Sequence, residues 1–297
     1  MKKQKRREQL IINKCYLCSS EDKQIIHKGV RGNSDINVLK CNNCGLVYLD
    51  SFIDDSERYY KESNMRKNES IDINQVRSIA KLDDDRRFLY TKNTIAGKRV
   101  LDFGCGAGGY LLNAMGSAQT VYGVELEDAM RQELRKEGLV VYSNLDEALM
   151  ELEGKIDVVV MWHVLEHLDD PLTVLKKIGR LLSKEGIIII EVPNADDALI
   201  TQYDCKAFQD FTYWEAHLYL FNNSTIKRLF DKSEFKVSYI TQIQRYPLAN
   251  HLYWLSYGKP CGQTIWKELV NASLNKEYEN KLVEIGKADT IIAQIHL

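Results

Sequence analysis

The sequence predicts an α/β protein: a Rossmann-like, seven-stranded, doubly wound sheet with its last strand antiparallel, a small N-terminal zinc module and a helical cap insert. Three observations carry that expectation. From Lys98 onward, short Val/Ile-rich runs alternate with amphipathic segments. A glycine-rich turn follows the first of those runs in VLDFGCGAGGY. Two Cys-x-x-Cys pairs, Cys15/Cys18 and Cys41/Cys44, stand ahead of all of it.

The elements follow in order from the change of pattern at Lys98. Strands are expected at Arg99–Phe103, Val121–Glu125, Leu139–Tyr142, Ile156–Met161 and Gly186–Val192. Helices are expected near Tyr110–Met115, Asp128–Glu137, Asp146–Leu152 and, opened by proline, Pro171–Leu182. Continuous apolar strands between helices imply a parallel sheet covered on both faces. Ser224–Asp231 then reads as a helix, with Lys236–Ile243 and Thr290–Leu297 as the last two strands. The aromatic stretch between those strands, about 244–288, reads as a helical cap inserted into a terminal hairpin. Three domains result: a cysteine module over 1–50, a charged helical connector or lid over 51–97, and a main domain over 98–297.

Composition excludes several classes. The 297 residues carry 40 Lys+Arg against 42 Asp+Glu, a formal charge of −2, which disfavours a globally basic nucleic-acid binder. No apolar run approaches the ~20 residues of a membrane span. MKKQKRREQL lacks the apolar stretch of a secretory signal and reads as a solvated basic tail. A cytoplasmic, reducing location is therefore expected, with no membrane association, and paired cysteines there are metal ligands more readily than disulfides. Nothing in the sequence sets the oligomeric state.

The two cysteine pairs are separated by a 22-residue connector. Each Cys-x-x-Cys knuckle lets two thiolates reach one ion, and two knuckles close a tetrahedral site without an open position. Cys15, Cys18, Cys41 and Cys44 are thus expected to hold structural zinc, although iron fits the same ligands. His27 is surplus to a four-cysteine site, and Cys105, Cys205 and Cys261 are bystanders.

In VLDFGCGAGGY, Asp102 ends a strand and Gly104, Gly106, Gly108 and Gly109 fill the turn before a helix. Glycines permit a tight turn and close approach of a ligand to the backbone. Gly104-x-Gly106-x-x-Gly109 is also the dinucleotide fingerprint, so the surroundings must discriminate. Asp102 would sit awkwardly under a pyrophosphate but naturally beside an ammonium group. Glu125, at the end of the second strand, is placed to hydrogen-bond a ribose diol. Both acids suit a positively charged nucleoside.

On these residues the sequence resembles the class I S-adenosylmethionine-dependent methyltransferases, over Lys98 to Leu297. The resemblance implies S-adenosylmethionine as cofactor. Asp102, Gly104 and Gly106 would line its methionine side, with Gly108 completing the turn. Glu125 would hold the ribose, Leu126 would lie against the adenine, and Asn144 and Leu145 would face it. The segment MWHVLEHLDDP is similar to the family's LEHL-type motif before a proline-initiated helix, which would put Trp162 and His163 near the transferring methyl. His163-x-x-Glu166-His167 also spells a metalloprotease string, but that string needs one long helix, and here it follows a strand directly.

The loop after the fifth strand, beyond VPNADD, carries FQDFTYWEAHLYLF. Sugar and small-molecule methyltransferases are similar in an aromatic-His-Leu-aromatic stretch, matched by His217–Phe221. His217 is the candidate base, with Tyr213 and Glu215 as partners. In the cap, Arg245, Tyr246, Asn250, His251 and Trp254 either cover a hydroxyl-rich ligand or pack the cap itself. The expected function is methyl transfer to a small polar acceptor, probed first as a sugar or nucleotide-sugar of a surface-polysaccharide pathway. An RNA methyltransferase with a zinc-binding recognition module, and a non-catalytic zinc-containing binding protein, are the alternatives.

Overall fold

The computed structural model describes residues 9–53 and 72–297. The basic tail and the 54–71 part of the expected connector lie outside the described residues. Strands β1 (Gln9–Ile11), β2 (Lys23–His27), β3 (Val38–Cys41), β4 (Val47–Leu49) and β5 (Ser51–Ile53) come first, followed by helix α1 (Ile73–Ile95). The alternating region runs β6 (Arg99–Phe103), α2 (Gly109–Ala114), β7 (Thr120–Val124), α3 (Asp128–Lys136), β8 (Val140–Tyr142) and α4 (Leu145–Leu152). It continues with β9 (Ile156–Trp162), α5 (Pro171–Leu181) and β10 (Leu182–Pro193). Then come α6 (Ala198–Thr201), α7 (Lys206–Thr212), β11 (Tyr219–Leu220), α8 (Asn223–Lys232) and β12 (Lys236–Ile243). Helices α9 (Leu248–Tyr257), α10 (Gly262–Ile265) and α11 (Ala272–Glu284) form the cap, and β13 (Thr290–His296) is the last strand.

The large sheet has seven strands in the order β12-β13-β10-β9-β6-β7-β8, mixed, with the last strand antiparallel. Its centre is parallel, with Val100 opposite Val121 on one side and Val158 on the other. Strand order reverses at β6, between β7 and β9. In open α/β sheets such a switch point opens a crevice beyond the strand ends. Both faces are covered, so Val100, Leu101, Val159, Val160 and Ile190 are fully buried. Each burial of such a side chain contributes roughly 1.5–3 kcal/mol. Strand β10 starts four residues earlier than the sequence suggested, because α5 passes into extended chain at Leu182 with no intervening loop. Helix α5 opens as read, with Pro171 in its first turn and Asp170 capping Thr173 N at 3.2 Å.

The chain divides into two compact units. The first comprises Met1–Asp54, Glu191–Lys232 and Tyr239–Ala293; the second comprises Asp55–Ile190, Ser233–Ser238 and Gln294–Leu297. In the first unit a four-stranded sheet of order β11-β4-β3-β2 joins the cysteine hairpins to the segment after β10. Tyr219 pairs with Tyr48, and Leu220 with Val47. In the second unit α1 packs on α2. No helix among the described residues is long and apolar enough to cross a membrane.

Candidate functional site

In the second unit the glycine turn is tied to the neighbouring strand: Gly104 N and Cys105 N donate to Val124 O at 2.8 and 3.1 Å. Gly104 has φ +81, and a Cβ there would meet Val164 Cγ2 at 2.6 Å. Gly106 also has positive φ, +52, but a Cβ there would meet nothing within 4 Å. The turn is therefore closed against the protein at Gly104 and open at Gly106, as a ligand cradle requires. Gly108 (φ +72) caps α2 and donates to Cys105 O at 2.8 Å.

Asp102 is 2% exposed, and its Oδ1 has no hydrogen-bond partner among the described residues. Burial drives its pKa well above the usual carboxylate range, the Arg87 guanidinium opposes that shift, and Asp84 and Glu125 add to it. A buried carboxylate without a partner is costly, and a cationic ligand would offset the cost. Glu125 ties the loop together: Oε2 accepts from Gly106 N and Oε1 from Glu127 N, both at 2.8 Å. Arg131 donates to the carbonyls of Glu125 and Leu126, which fixes the turn after β7. Asn144 caps α4 through Glu147 N at 2.9 Å, and Leu145 is buried. Trp162 is buried with its Nε1 lacking a partner among the described residues, and its ring meets Tyr110 edge-on at 5.3 Å. The unpaired Asp102 oxygen, the open Gly106 and the second acid together fit S-adenosylmethionine.

His163, just past β9, has φ +57, a left-handed conformation rare for a residue with a side chain. Its Nδ1 donates to the fully buried Glu166 at 3.0 Å. The His163–His167 string occupies a strand end and one 3-10 turn, Leu165–His167, which is not the long helix a metalloprotease needs.

Helix α1 contributes groups that the sequence reading left at the surface. Arg87 and Asp84 pair at 3.6 Å with side chains 11% and 13% exposed, and the Arg87 guanidinium lies 5.5 Å from the Trp162 ring centre. Thr91 is buried and shares a hydrogen bond with Tyr110 at 2.9 Å. Asp84, Arg87 and Thr91 lie at helical spacing on one face. A polar face leaves no apolar periodicity, so only a search for polar groups at i, i+3 and i+7 could have found it.

In the first unit the thiols of Cys15, Cys18, Cys41 and Cys44 lie within 4.8 Å of one another. Cys15 and Cys44 are 3.4 Å apart, and Cys18 and Cys41 3.5 Å. Tetrahedral zinc with bonds of about 2.3 Å needs sulfur spacings of about 3.8 Å, so four converging thiols suit it. The aromatic segment lies in this unit too. Tyr213 is buried, which pushes its phenol up to about 12, and its ring faces His27 at 5.0 Å. His217 Nδ1 donates to Thr212 O at 3.1 Å, which orients the ring. Trp214 meets the His217 ring edge-on at 5.4 Å.

The cap separates the two readings of its polar and aromatic set. Asn250, His251 and Trp254 are buried. His251 Nδ1 donates to Tyr278 Oη at 2.8 Å, and Trp254 packs on Phe208 at 5.2 Å. These three pack the cap, whereas Tyr246 stays exposed.

A sequence model of the methyltransferase-domain family matches residues 75–240. Among curated proteins, the chain is similar to the ubiquinone biosynthesis O-methyltransferase of Thiobacillus denitrificans, 34% identical over 116 residues, 36% of this chain and 50% of that protein. The Pseudomonas aeruginosa protein of the same name is 34% identical over 108 residues, 34% of this chain and 46% of that protein. The chain thus spans about half the length of these curated relatives. Among solved structures, a chain from the Haloferax volcanii complex containing the Trm112 methyltransferase activator shares the fold. The TM-score is 0.52 at 14% identity, over 82% of this chain and 97% of that one.

Proposed function

The chain belongs to the methyltransferase-domain family, and from that premise we propose that it transfers the methyl group of S-adenosylmethionine to a small polar acceptor. The observation that carries the reading is the buried Asp102 carboxylate with an unpartnered oxygen beside the open glycine turn. Asp102 would hold the cofactor's ammonium group, Gly104, Gly106 and Gly108 would admit it to the backbone, and Glu125 would accept from the ribose hydroxyls. Leu126, Leu145 and Trp162 would shape the adenine and methyl ends, with Asn144 fixing the α4 terminus beneath them. When bound, S-adenosylmethionine supplies an electrophilic methyl group for in-line transfer. The protein's share is alignment and proton removal.

His217 takes the acceptor proton at Nε2, while Thr212 O holds its Nδ1 proton in place. Trp214 packs edge-on against it, and His163 steadies the turn after β9 through Glu166. Cys15, Cys18, Cys41 and Cys44 hold zinc that fixes the hairpins to which β11 is paired. A closed four-thiolate site leaves no position for water, so its task is structural.

For the acceptor, the aromatic-His segment favours a sugar or nucleotide-sugar. The curated relatives' name favours a second reading, O-methylation of an acceptor in ubiquinone biosynthesis. Turnover with methyl-labelled S-adenosylmethionine and panels of nucleotide-sugars, phenols and RNA tests both. Label in a sugar or phenol is expected; label only in RNA, or in nothing, would overturn the small-acceptor reading.

A further inference from the structure

The cysteine module brings one cation to the aromatic segment. Arg31 sits in a bend closed by the Val30–Asn33 bridge. Its N–H donates to Tyr213 O at 2.8 Å, and its carbonyl accepts from Glu215 N at 3.1 Å. This stitching sets the guanidinium over two rings, 4.7 Å from the centre of Phe211 and 4.7 Å from that of Trp214. Phe211 is in turn backed by Trp254 at 5.3 Å, and Trp214 meets His217.

Arg31 is exposed, yet its guanidinium has no hydrogen bond or ion pair among the described residues. Partial burial lowers its pKa. A guanidinium placed over ring faces keeps its in-plane N–H donors for a ligand, because the rings offer them no conventional acceptor. The rings also restrict a side chain that is otherwise rich in rotamers. A charged fork held in one orientation, with no acid of its own, is built for bidentate contact with an oxyanion.

We propose that Arg31 anchors the acceptor, its in-plane N–H fork taking a phosphate or carboxylate oxyanion, so that the acceptor is an anionic small molecule. The word acceptor rests on the methyl-transfer reading; the oxyanion site does not. Calorimetry on the full chain, with inorganic pyrophosphate in one arm and malonate in the other at fixed ionic strength, tests the site. S-adenosylmethionine binding is measured on the same samples.

At least one anion is expected to bind, and the tighter arm distinguishes phosphate from carboxylate. Arg31→Gln should weaken that anion at least tenfold while leaving S-adenosylmethionine affinity and the melting curve unchanged. Phe211→Leu, which keeps the cation but removes one ring face, should weaken it severalfold. Binding of neither anion to the wild type, or equal binding to wild type and Arg31→Gln, overturns the proposal. Arg31-dependent anion binding without any S-adenosylmethionine binding would sustain the site and sink the methyl-transfer reading.

Discussion

The two units assemble their functional groups by opposite means. In the second unit, each candidate cofactor-binding group lies at or just past a strand end. Asp102 lies in the last two residues of β6 and Gly104 follows it, Glu125 follows β7, and Trp162 ends β9. The parallel register that sets Asp102 beside Gly123 and Val160 brings those ends together. In the first unit the decisive contacts join distant segments. Cys15 meets Cys44, Tyr48 pairs with Tyr219, and Arg31 is held by the backbone of Tyr213 and Glu215. A site carried by one strand-turn-helix motif can be read along the chain. A contact made only by bringing distant segments together, such as Arg31 over Phe211, cannot.

The sharpest way to break this comparison is to remove the device that makes the first unit's pairing possible. Cys41→Ser takes one thiolate from the metal site and lies in β3, whose neighbour β4 carries the pairing with β11. Loss of a structural metal is among the few single changes that cost on the order of 4–5 kcal/mol. The variant should lose zinc by metal analysis and show an early-melting component, while the full chain still binds S-adenosylmethionine. Loss of both together would mean that the units do not hold their groups separately.

Next in size is His217→Ala. Proton removal by a placed base contributes roughly 10²–10⁴ in rate. Turnover should fall within that range with S-adenosylmethionine affinity unchanged. Full activity would remove His217 from the reaction.

The units also differ in how a buried titratable group responds to pH. His251 in the cap is buried, which lowers its pKa from 6.5 to about 4. The unfolded chain therefore takes up a proton that the folded chain refuses. Stability is lost as pH falls from about 6.5 towards 4, by about 3 kcal/mol in all. Asp102 has the opposite sign: its folded pKa is raised, so its stability contribution is present below about pH 4 and is lost as pH rises. Melting curves across this range should show His251→Gln flattening the acid limb and Asp102→Asn flattening the other. A variant that moves neither limb would show that its side chain is not the group responsible.

The legibility of the fold follows the same division. Strand β6 and the glycine turn were read to the residue, because continuous apolar runs and glycines are local signals. Helix α1 was expected as a helix, but its Asp84–Arg87 pair was not, since a face packed through charge shows no apolar period. The four cysteines were legible because knuckle spacing is itself a local rule. Arg31 was not, because its significance depends on Phe211 and Trp214 and arises only when β4 pairs with β11. Trp254 was weighed as a ligand contact or as cap packing; burial against Phe208 decides for packing, which the sequence alone could not.

The central claim is that the second unit's glycine turn is built for a cationic nucleoside held by Asp102. Calorimetry with S-adenosylmethionine and with NAD, on wild type and Asp102→Asn, tests it most directly. The wild type should bind S-adenosylmethionine and not NAD. The variant should bind S-adenosylmethionine at least 100-fold more weakly, a loss of about 3 kcal/mol for a charge-assisted contact. Without ligand it should be no less stable than wild type at neutral pH, having lost an unpartnered buried charge. Tight NAD binding by the wild type without S-adenosylmethionine binding, or equal S-adenosylmethionine affinity in the two proteins, would contradict the claim.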